Sequence, residues 1–364
     1  MSIQRIMIVG PLPPPAGGMA NQTRKLAQLL RSEGVLVDVV QTNAPYRPQF
    51  IGEIKGLRAL FRFFPYLFKL YKHSKRADVI HIMANSGWSW HLFVAPAILI
   101  ANWCKVPVIV NYRGGYARDF FKTSWPWVKL TLNRAQRITV PSPFLAEIFE
   151  EYGKASHIVP NVLDETLFKA PAQSQSSSES PHIVVTRNLE LIYDVATSIR
   201  AFAAFQQHFP NATLSIAGTG PEKENLQTLI KELEVNNVTF TGRLSPTEVA
   251  QLYHSASIML NSSIVDNTPN SIIESLACGT PVVSTDVGGI PKLITHEKDA
   301  LLVSPRDHQA MKDHMLNLME NTTLRTNLIN EGQKTISQFY WSNVWQKLQH
   351  NYHLAQCHGG QENA

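Results

Sequence analysis

The stretch NSSIVDNTPNSIIESLACGTPVVSTDVGG, residues 261–289, decides the fold. Its pattern predicts the end of a strand, a loop, a short helix, a second strand and a glycine turn. We expect Thr268 to cap the helix and Pro269 to take its first position, where proline is favoured. Gly279 is expected to end the helix, with Pro281 just beyond it. The stretch therefore predicts a strand–helix–strand unit.

The start of this helix is a candidate phosphate site. The backbone N–H groups of Asn270, Ser271 and Ile272 should point out of the helix end, which carries partial positive charge. Asp266 precedes the helix and Glu274 lies on its second turn, so two carboxylates can accept hydrogen bonds from sugar hydroxyls. A capped helix with two surface acids is the alternative. The residues predicted to hold a sugar nucleotide here are Asp266, Asn267, Thr268, Pro269, Asn270, Ser271, Ile272 and Glu274.

This stretch resembles the signature of the retaining GT-B fold glycosyltransferases. The pattern consists of Asp266, seven further residues and Glu274, followed by a helix end rich in small residues and by G-x-PVV. The resemblance is to the family 4-like, group 1 type, which includes many bacterial surface-polysaccharide enzymes. In that family the first acid is Glu, and here it is Asp266. The resemblance implies that Glu274 binds the ribose and Asp266 binds hydroxyls of the transferred sugar.

The opening loop carries a second resemblance. RIMIVG (5–10) predicts a buried strand, PLPPPAGGMA (11–20) a loop, and the following run a helix. The loop is not G-x-G-x-x-G, but it resembles the family's G-x-x-PP-x-GG opening. Gly17 and Gly18 would let the backbone approach the donor's diphosphate. A proline-rich surface turn is the alternative.

Two positions depart from the family's pattern. NYRGG places Arg113 where the family commonly has a His near the reacting centre; Arg cannot accept a proton but can hold a phosphate or an anionic acceptor. His81 is the nearest other polar group, with a satisfied core residue as the alternative. In the family an Arg and a Lys clamp the diphosphate; Arg187 matches the Arg, while Ile192 falls at the Lys position. Arg113 and Arg243 are candidates for the second cation. The predicted catalytic residues are Arg187, Asp266 and Arg113.

Alternating strand and helix patterns predict an α/β protein with two doubly wound Rossmann-like domains facing a cleft. The expected divisions are an acceptor-binding domain (1–168), a polar linker (169–181), a nucleotide-sugar domain (182–340) and a helix returning to the first domain (341–357).

The charge is uneven along the chain: residues 1–165 hold 20 Lys+Arg against 10 Asp+Glu, while the whole chain has a net charge of +5. Residues 54–76 predict a helix with a basic face opposite an apolar face, kinked or split at Pro65. This pattern predicts peripheral contact with an anionic membrane, and a core helix with its apolar face inward is the alternative. The basic residues are Arg58, Arg62, Lys69, Lys72 and Arg76, and the apolar ones are Leu57, Phe61, Phe64, Phe68 and Tyr71.

Three cysteines without metal or disulfide spacing, and an N-terminus without a signal-peptide layout, predict a cytoplasmic protein at the inner face of the plasma membrane. The sequence contains no Asp-x-Asp pair. We therefore expect neither a metal nor another cofactor, and the nucleotide sugar is a substrate. No nucleic-acid partner is expected.

The resemblance implies a glycosyltransferase that moves a sugar from a nucleotide-sugar donor to a saccharide or lipid-linked acceptor, with retention of configuration. Its expected role is cell-surface polysaccharide biosynthesis: lipopolysaccharide, O-antigen or capsule. A non-catalytic GT-B binding subunit and another GT-B enzyme, such as a nucleotide-sugar epimerase, are the alternatives.

Overall fold

The structure is a computed structural model, and it describes residues 3–14, 18–45, 58–114, 116–171 and 180–361. The chain divides into unit 1, Met1–Val162 with Trp341–Ala364, and unit 2, Leu163–Tyr340. Each unit contains one six-stranded parallel sheet in which strands alternate with helices. The predicted α/β class with two Rossmann-like domains is therefore confirmed.

The described elements of unit 1 follow in chain order and include a π-helical turn (Trp90–Val94) directly before the third helix. They are β1 (Arg5–Gly10), α1 (Gly18–Ser32), β2 (Leu36–Gln41), α2 (Arg58–Ser74), β3 (Val79–Ala84), α3 (Ala95–Trp103), β4 (Val108–Tyr112), α4 (Ala117–Leu132), β5 (Arg137–Val140), α5 (Pro143–Glu151) and β6 (His157–Ile158).

The described elements of unit 2 include a 3-10 turn (Leu191–Tyr193) after the first strand. They are β7 (His182–Thr186), α6 (Val195–Gln206), β8 (Thr213–Ala217), α7 (Lys223–Glu232), β9 (Val238–Gly242), α8 (Pro246–Ser255), β10 (Ile258–Asn261), α9 (Asn270–Ala277), β11 (Val282–Thr285), α10 (Ile290–Leu293), β12 (Leu301–Val303), α11 (His308–Glu320) and α12 (Thr322–Ile336). After a 3-10 turn (Ser337–Phe339), α13 (Trp341–Gln361) belongs to unit 1.

In each parallel sheet, the direction in which successive strands are added changes once. Unit 1 has the order β2-β1-β3-β4-β5-β6 and unit 2 the order β12-β11-β10-β7-β8-β9. Successive crossovers run in opposite directions on either side of the β1/β3 and β10/β7 neighbours. Ligands of open parallel sheets bind beyond the carboxyl ends of the strands at such switch points. The fold therefore offers one candidate ligand position in each unit.

Strand residues of unit 1 are buried on both faces of the sheet, because helices cover both sides. Met7 and Val9 point into a core shared with α2, α3, α4 and α5, whereas Ile6 and Ile8 point into a core shared with α1 and α13. Near-continuous apolar runs are typical of parallel strands that are covered in this way.

Helix α2 corrects two expectations. The prediction at Pro65 is a kink or a split, and the helix is not split, because it runs through Pro65 without a break. Among the side chains of α2 that the structure describes, those of Tyr66, Leu70 and Ser74 are buried. The apolar stripe is exposed instead: Phe61, Phe64 and Phe68 have exposed fractions of 54%, 62% and 67%, and Tyr71 one of 38%. The alternative of an inward-facing apolar stripe is therefore wrong for these residues. Leu57 and the side chain of Arg58 lie outside the described residues.

Among the described residues, no helix combines the length and the apolar character needed to cross a bilayer.

A buried polar chain joins α13 to the sheet of unit 1. Arg113 Nε donates to Asn111 Oδ1 (3.2 Å), which leaves the amide nitrogen of Asn111 facing His81 Nε2 (3.0 Å). Since an amide nitrogen only donates, His81 Nε2 must accept. The ring proton then sits on Nδ1, which donates to Tyr352 Oη at 2.8 Å. Burial lowers the pKa of His81 to about 3, with a further contribution from Arg113. His81 is therefore a neutral, satisfied core residue.

We expect Tyr352→Phe to lower the stability of the protein by about 1–2 kcal/mol, because the buried N–H of His81 loses its acceptor. Thermal unfolding, followed by circular dichroism, should show a transition several degrees lower than in the wild type. Tyr116→Phe is the matched control, since Tyr116 is 60% exposed. Equal melting temperatures for both variants would contradict the importance of this hydrogen bond.

Candidate functional site

Arg187 lies directly after β7, at the switch point of the unit 2 sheet. Its Nε donates to Asn261 Oδ1 at the end of β10 (3.0 Å), and its Nη2 donates to Ser263 Oγ (3.4 Å). The guanidinium carbon lies 4.7 Å from the centre of the Tyr193 ring. Asn261 in turn donates to Ser284 Oγ on β11 (2.9 Å), so its amide orientation is fixed. The side chain of Arg187 is thus held by residues at the end of β10, one of which is fixed in turn by β11.

Asp266 forms an ion pair with Arg187, and each side chain is 13% exposed. Its other oxygen accepts from the backbone N–H of Asn267 (2.9 Å). The backbone oxygen of Asp266 accepts from Gly289 N–H (3.0 Å). Gly288 has a φ of +58°, and a Cβ there would lie 2.0 Å from that same oxygen. Only glycine therefore allows the turn that fixes Asp266 beside Arg187.

The start of α9 differs from the expectation by one residue. Pro269 is the N-cap and Asn270 the first helical residue, so neither the predicted Thr268 cap nor the predicted first-turn position of Pro269 is correct. The Thr268 hydroxyl instead contacts Asn267 Oδ1 (3.4 Å). Ile272 N–H bonds to the Pro269 carbonyl (3.2 Å), which means that it is not an open donor.

Ser271 provides an unsatisfied group at this helix end. Its side chain is 7% exposed, and its hydroxyl oxygen has no hydrogen-bond partner among the residues that the structure describes. A buried hydroxyl without a partner costs about 1–3 kcal/mol. This cost is recovered when a ligand group hydrogen-bonds there, and a phosphate suits the partial positive charge of the helix N-terminus.

Glu274 faces the same region from the second turn of α9. Burial raises the pKa of its carboxyl group to about 8, although the charge of Arg187 opposes the shift. Glu274 in turn raises the pKa of Arg187, which burial lowers. The carboxyl group of Glu274 is therefore largely protonated at neutral pH, and it can both donate to and accept from a hydroxyl of a ligand.

Arg113 lies in unit 1, directly after β4, and is described only within that unit. Besides Asn111, it donates to Asn161 Oδ1. Burial lowers the pKa of Arg113 to about 10, so the guanidinium stays charged at neutral pH. Across the described ranges, no carboxylate forms an ion pair with Arg113. A charged group with only neutral amide partners favours an anionic ligand.

A cavity of about 200 Å³ opens at the switch point of the unit 1 sheet, between the carboxyl ends of β1 and β3. Arg62 of α2, Thr42, Asn43 and Ser89 line it together with apolar side chains. Gly18 is the first residue of α1, and a Cβ added there would meet nothing within 4 Å. The predicted Gly17 lies outside the described residues.

The structure brings together Arg187, Asp266, Glu274 and the N-terminal turn of α9. Sequence patterns assigned no role to the residues that hold them, which are Asn261 and Ser263 at the end of β10, Ser284 in β11 and Tyr193 in the 3-10 turn after β7. Ile192 uses its carbonyl to accept from Ile264 N–H (2.8 Å), and its side chain supplies no second cation. Arg243 is exposed.

We expect Glu274→Gln to remove a pH dependence of stability. Because the pKa of Glu274 is raised in the folded protein, the folded state binds more protons than the unfolded state from about pH 4.5 to 8. Wild-type stability should therefore fall across this range, relative to the variant, by on the order of 5 kcal/mol. Urea unfolding at several pH values measures the difference. Glu224→Gln, at an exposed position of α7, is the control; parallel pH profiles for wild type and Glu274→Gln would contradict the assignment.

Comparisons with known proteins give two family matches and several structures of similar fold. Residues 168–335 match the family described as Glycosyl transferases group 1, and residues 16–167 match Glycosyltransferase Family 4. A solved structure of Anabaena Alr3699/HepE in complex with UDP is similar in fold, with a TM-score of 0.74 and 17% identity over 96% of this chain and 99% of that chain.

Two curated relatives match over part of their length. N-acetyl-alpha-D-glucosaminyl L-malate synthase of Bacillus anthracis is 28% identical over 46% of this chain and 43% of its own. An uncharacterised glycosyltransferase of Methanocaldococcus jannaschii is 29% identical over 40% of this chain and 38% of its own. The chain thus aligns with less than half the length of these relatives. The two family matches together cover residues 16–335, so the chain carries a Glycosyltransferase Family 4 domain followed by a Glycosyl transferases group 1 domain.

Proposed function

We propose that this chain transfers a sugar from a nucleotide-sugar donor to a saccharide or lipid-linked acceptor, with retention of configuration and without a metal. The observation that carries the proposal is the cluster at the unit 2 switch point: Arg187, Asp266 and the unsatisfied Ser271 hydroxyl at the start of α9. A cation and a helix N-terminus in one place suit a diphosphate, and the adjacent carboxylate suits a sugar hydroxyl.

Arg187 is the group that would hold the departing diphosphate. Its Nη1 makes no hydrogen bond among the described residues, while Nε and Nη2 are engaged with Asn261, Ser263 and Asp266. The guanidinium is therefore positioned by three of its donors and keeps two for a ligand. Positive charge fixed before the reaction stabilises charge that develops on the leaving group. Glu274 would bind the ribose, and the complex of Alr3699/HepE with UDP supports a nucleotide donor.

The proposal also covers which group takes the proton of the acceptor and the anomeric configuration of the transferred sugar. His81 is neutral but enclosed by Asn111 and Tyr352, so it offers no open nitrogen as a base. The departing phosphate would then take the acceptor's proton on the same face of the sugar, and the anomeric configuration would be retained. The sequence lacks an Asp-x-Asp pair, which supports charge stabilisation by Arg187 and backbone N–H groups in place of a metal.

Unit 1 would bind the acceptor. Arg62 in the cavity at the β1/β3 switch point and Arg113 after β4 favour an acceptor that carries negative charge, such as a phosphate-linked lipid saccharide. Residues 54–76 would lie against an anionic membrane, because the aromatic stripe of α2 is exposed. This arrangement suits the synthesis of cell-surface polysaccharide, such as lipopolysaccharide, O-antigen or capsule, at the cytoplasmic face of the membrane.

We expect Arg187→Ala to lower the release of nucleoside diphosphate from the donor by about 100-fold or more in kcat, since the leaving group loses its cation. The measurement uses a panel of UDP-, GDP-, ADP- and dTDP-sugars with the full chain. Arg200→Ala, at an exposed position of α6, is the control. A wild-type chain that binds UDP but releases product from no donor would point to a non-catalytic subunit.

We also expect a chelator to leave this activity unchanged. If Arg187 and backbone N–H groups carry the stabilisation, EDTA should alter the initial rate less than twofold, and added Mg²⁺ should not raise it. The rate is measured with the best donor of the panel. A loss that Mg²⁺ restores would show that a metal clamps the diphosphate.

A further inference from the structure

The outward sides of α2, α3 and α4 carry large apolar side chains that the fold does not bury. Phe61, Phe64 and Phe68 of α2, Trp103 of α3, and Trp127 and Leu130 of α4 have exposed fractions between 53% and 79%. We name this surface the aromatic–basic face. Single exposed apolar residues are ordinary, but a cluster on adjacent helices marks an interaction surface.

The three helices form one continuous layer. The rings of Tyr71 on α2 and Trp103 on α3 lie 5.9 Å apart. Asn102 on α3 donates to the carbonyl of Arg134, just after α4 (2.9 Å), and Trp90 donates to Thr131 of α4 (3.3 Å). All three helices pack their inner sides on the same face of the sheet. Their outer sides therefore point away from the sheet in the same direction.

Positive charge accompanies the aromatic rings. Residues 58–134 contain 12 Lys+Arg and only 2 Asp+Glu. Of the two acids, Asp78 accepts from the backbone N–H groups of residues 4 and 5, at the start of β1, and Asp119 lies beside Lys122. Exposed lysines follow the rings along the helices: Lys69 and Lys72 on α2, and Lys122 and Lys129 on α4. The face is thus apolar and strongly cationic together.

This combination distinguishes a lipid surface from a protein partner. Protein interfaces are depleted of lysine, whereas interfacial helices combine lysines with Trp and Phe that enter the headgroup region. Tryptophan is also enriched where one end of a side chain meets hydrocarbon and the other meets water. We propose that the aromatic–basic face, as a whole, binds the surface of an anionic lipid bilayer, with Trp103 and Trp127 as anchors outside the 54–76 segment.

The proposal rests on the proposed function in one respect: it supplies the surface from which a lipid-linked acceptor would reach unit 1. Helix α2 contributes Phe61 and Phe64 to the face and Arg62 to the cavity at the β1/β3 switch point. One helix thus touches both the bilayer surface and the candidate acceptor pocket. A phosphate at the headgroup level would lie close to this cationic side chain.

The test is sedimentation of the full chain with vesicles of POPC alone and of POPC mixed with POPG. We expect the wild type to bind only the POPG vesicles, and Trp103→Ala/Trp127→Ala and Lys69→Glu/Lys72→Glu each to weaken binding about tenfold or more. Salt should weaken wild-type binding. The matched control is Lys223→Glu/Lys231→Glu, a double charge reversal on exposed positions of α7 in unit 2. It should bind like the wild type, and circular dichroism should show that all variants are folded.

Three results would overturn the proposal: no binding of the wild type to POPG vesicles, undiminished binding of the tryptophan variant, or loss in the face variants of a dimer that light scattering detects in the wild type. The last result would assign the face to a second copy of the chain. Nucleoside diphosphate release without vesicles separates this proposal from the transferase proposal. Vesicle binding without turnover of any donor would end the transferase proposal and leave the face intact.

Discussion

The ion pair between Arg187 and Asp266 is the interaction on which the candidate donor site depends. It forms because β7 and β10 are neighbours in the sheet, although 71 residues lie between Thr186, the last residue of β7, and Ile258, the first residue of β10. Asn261, Ser263 and the glycine turn at Gly288 fix both partners. Because the pair is held from both strands, the remaining donors of the arginine have a defined place beside Asp266. A ligand with negative charge would find that place already organised.

In unit 1, among the residues that the structure describes, the side chain of Arg113 is held in place by neutral amide groups and not by a carboxylate. Arg113 stays charged at neutral pH but pairs only with neutral amides, and the orientation of Asn111 is set by His81 and, through it, by Tyr352 of α13. The final helix therefore contributes to the position of a cation more than 200 residues earlier in the chain. Both units thus present a fixed guanidinium at the carboxyl end of a parallel sheet, where negatively charged substrates collect.

Helix α2 shows where sequence patterns leave a choice open. Its basic and aromatic stripes are visible in the sequence, yet the same pattern fits a core helix or a surface helix. The decision depends on which residues contact the sheet, and here Tyr66 and Leu70 do so while Phe61, Phe64 and Phe68 do not. Periodicity cannot resolve this, because α2 has two apolar sectors and only packing selects the buried one.

The sequence alone determined the alternation of strands and helices, the glycosyltransferase signature around Asp266 and Glu274, and the departures at Arg113 and Ile192. These features depend on local preferences and on residue order, which a sequence contains directly. Tertiary structure decided that Arg187 pairs with Asp266, that His81 is enclosed, that Ser271 keeps an unsatisfied hydroxyl, and that Pro269 rather than Thr268 is the N-cap. Each of these depends on contacts between residues far apart in the chain, or on which neighbouring group forms a given hydrogen bond. The periodicity of a short segment predicts neither the contacts nor the hydrogen-bond partners.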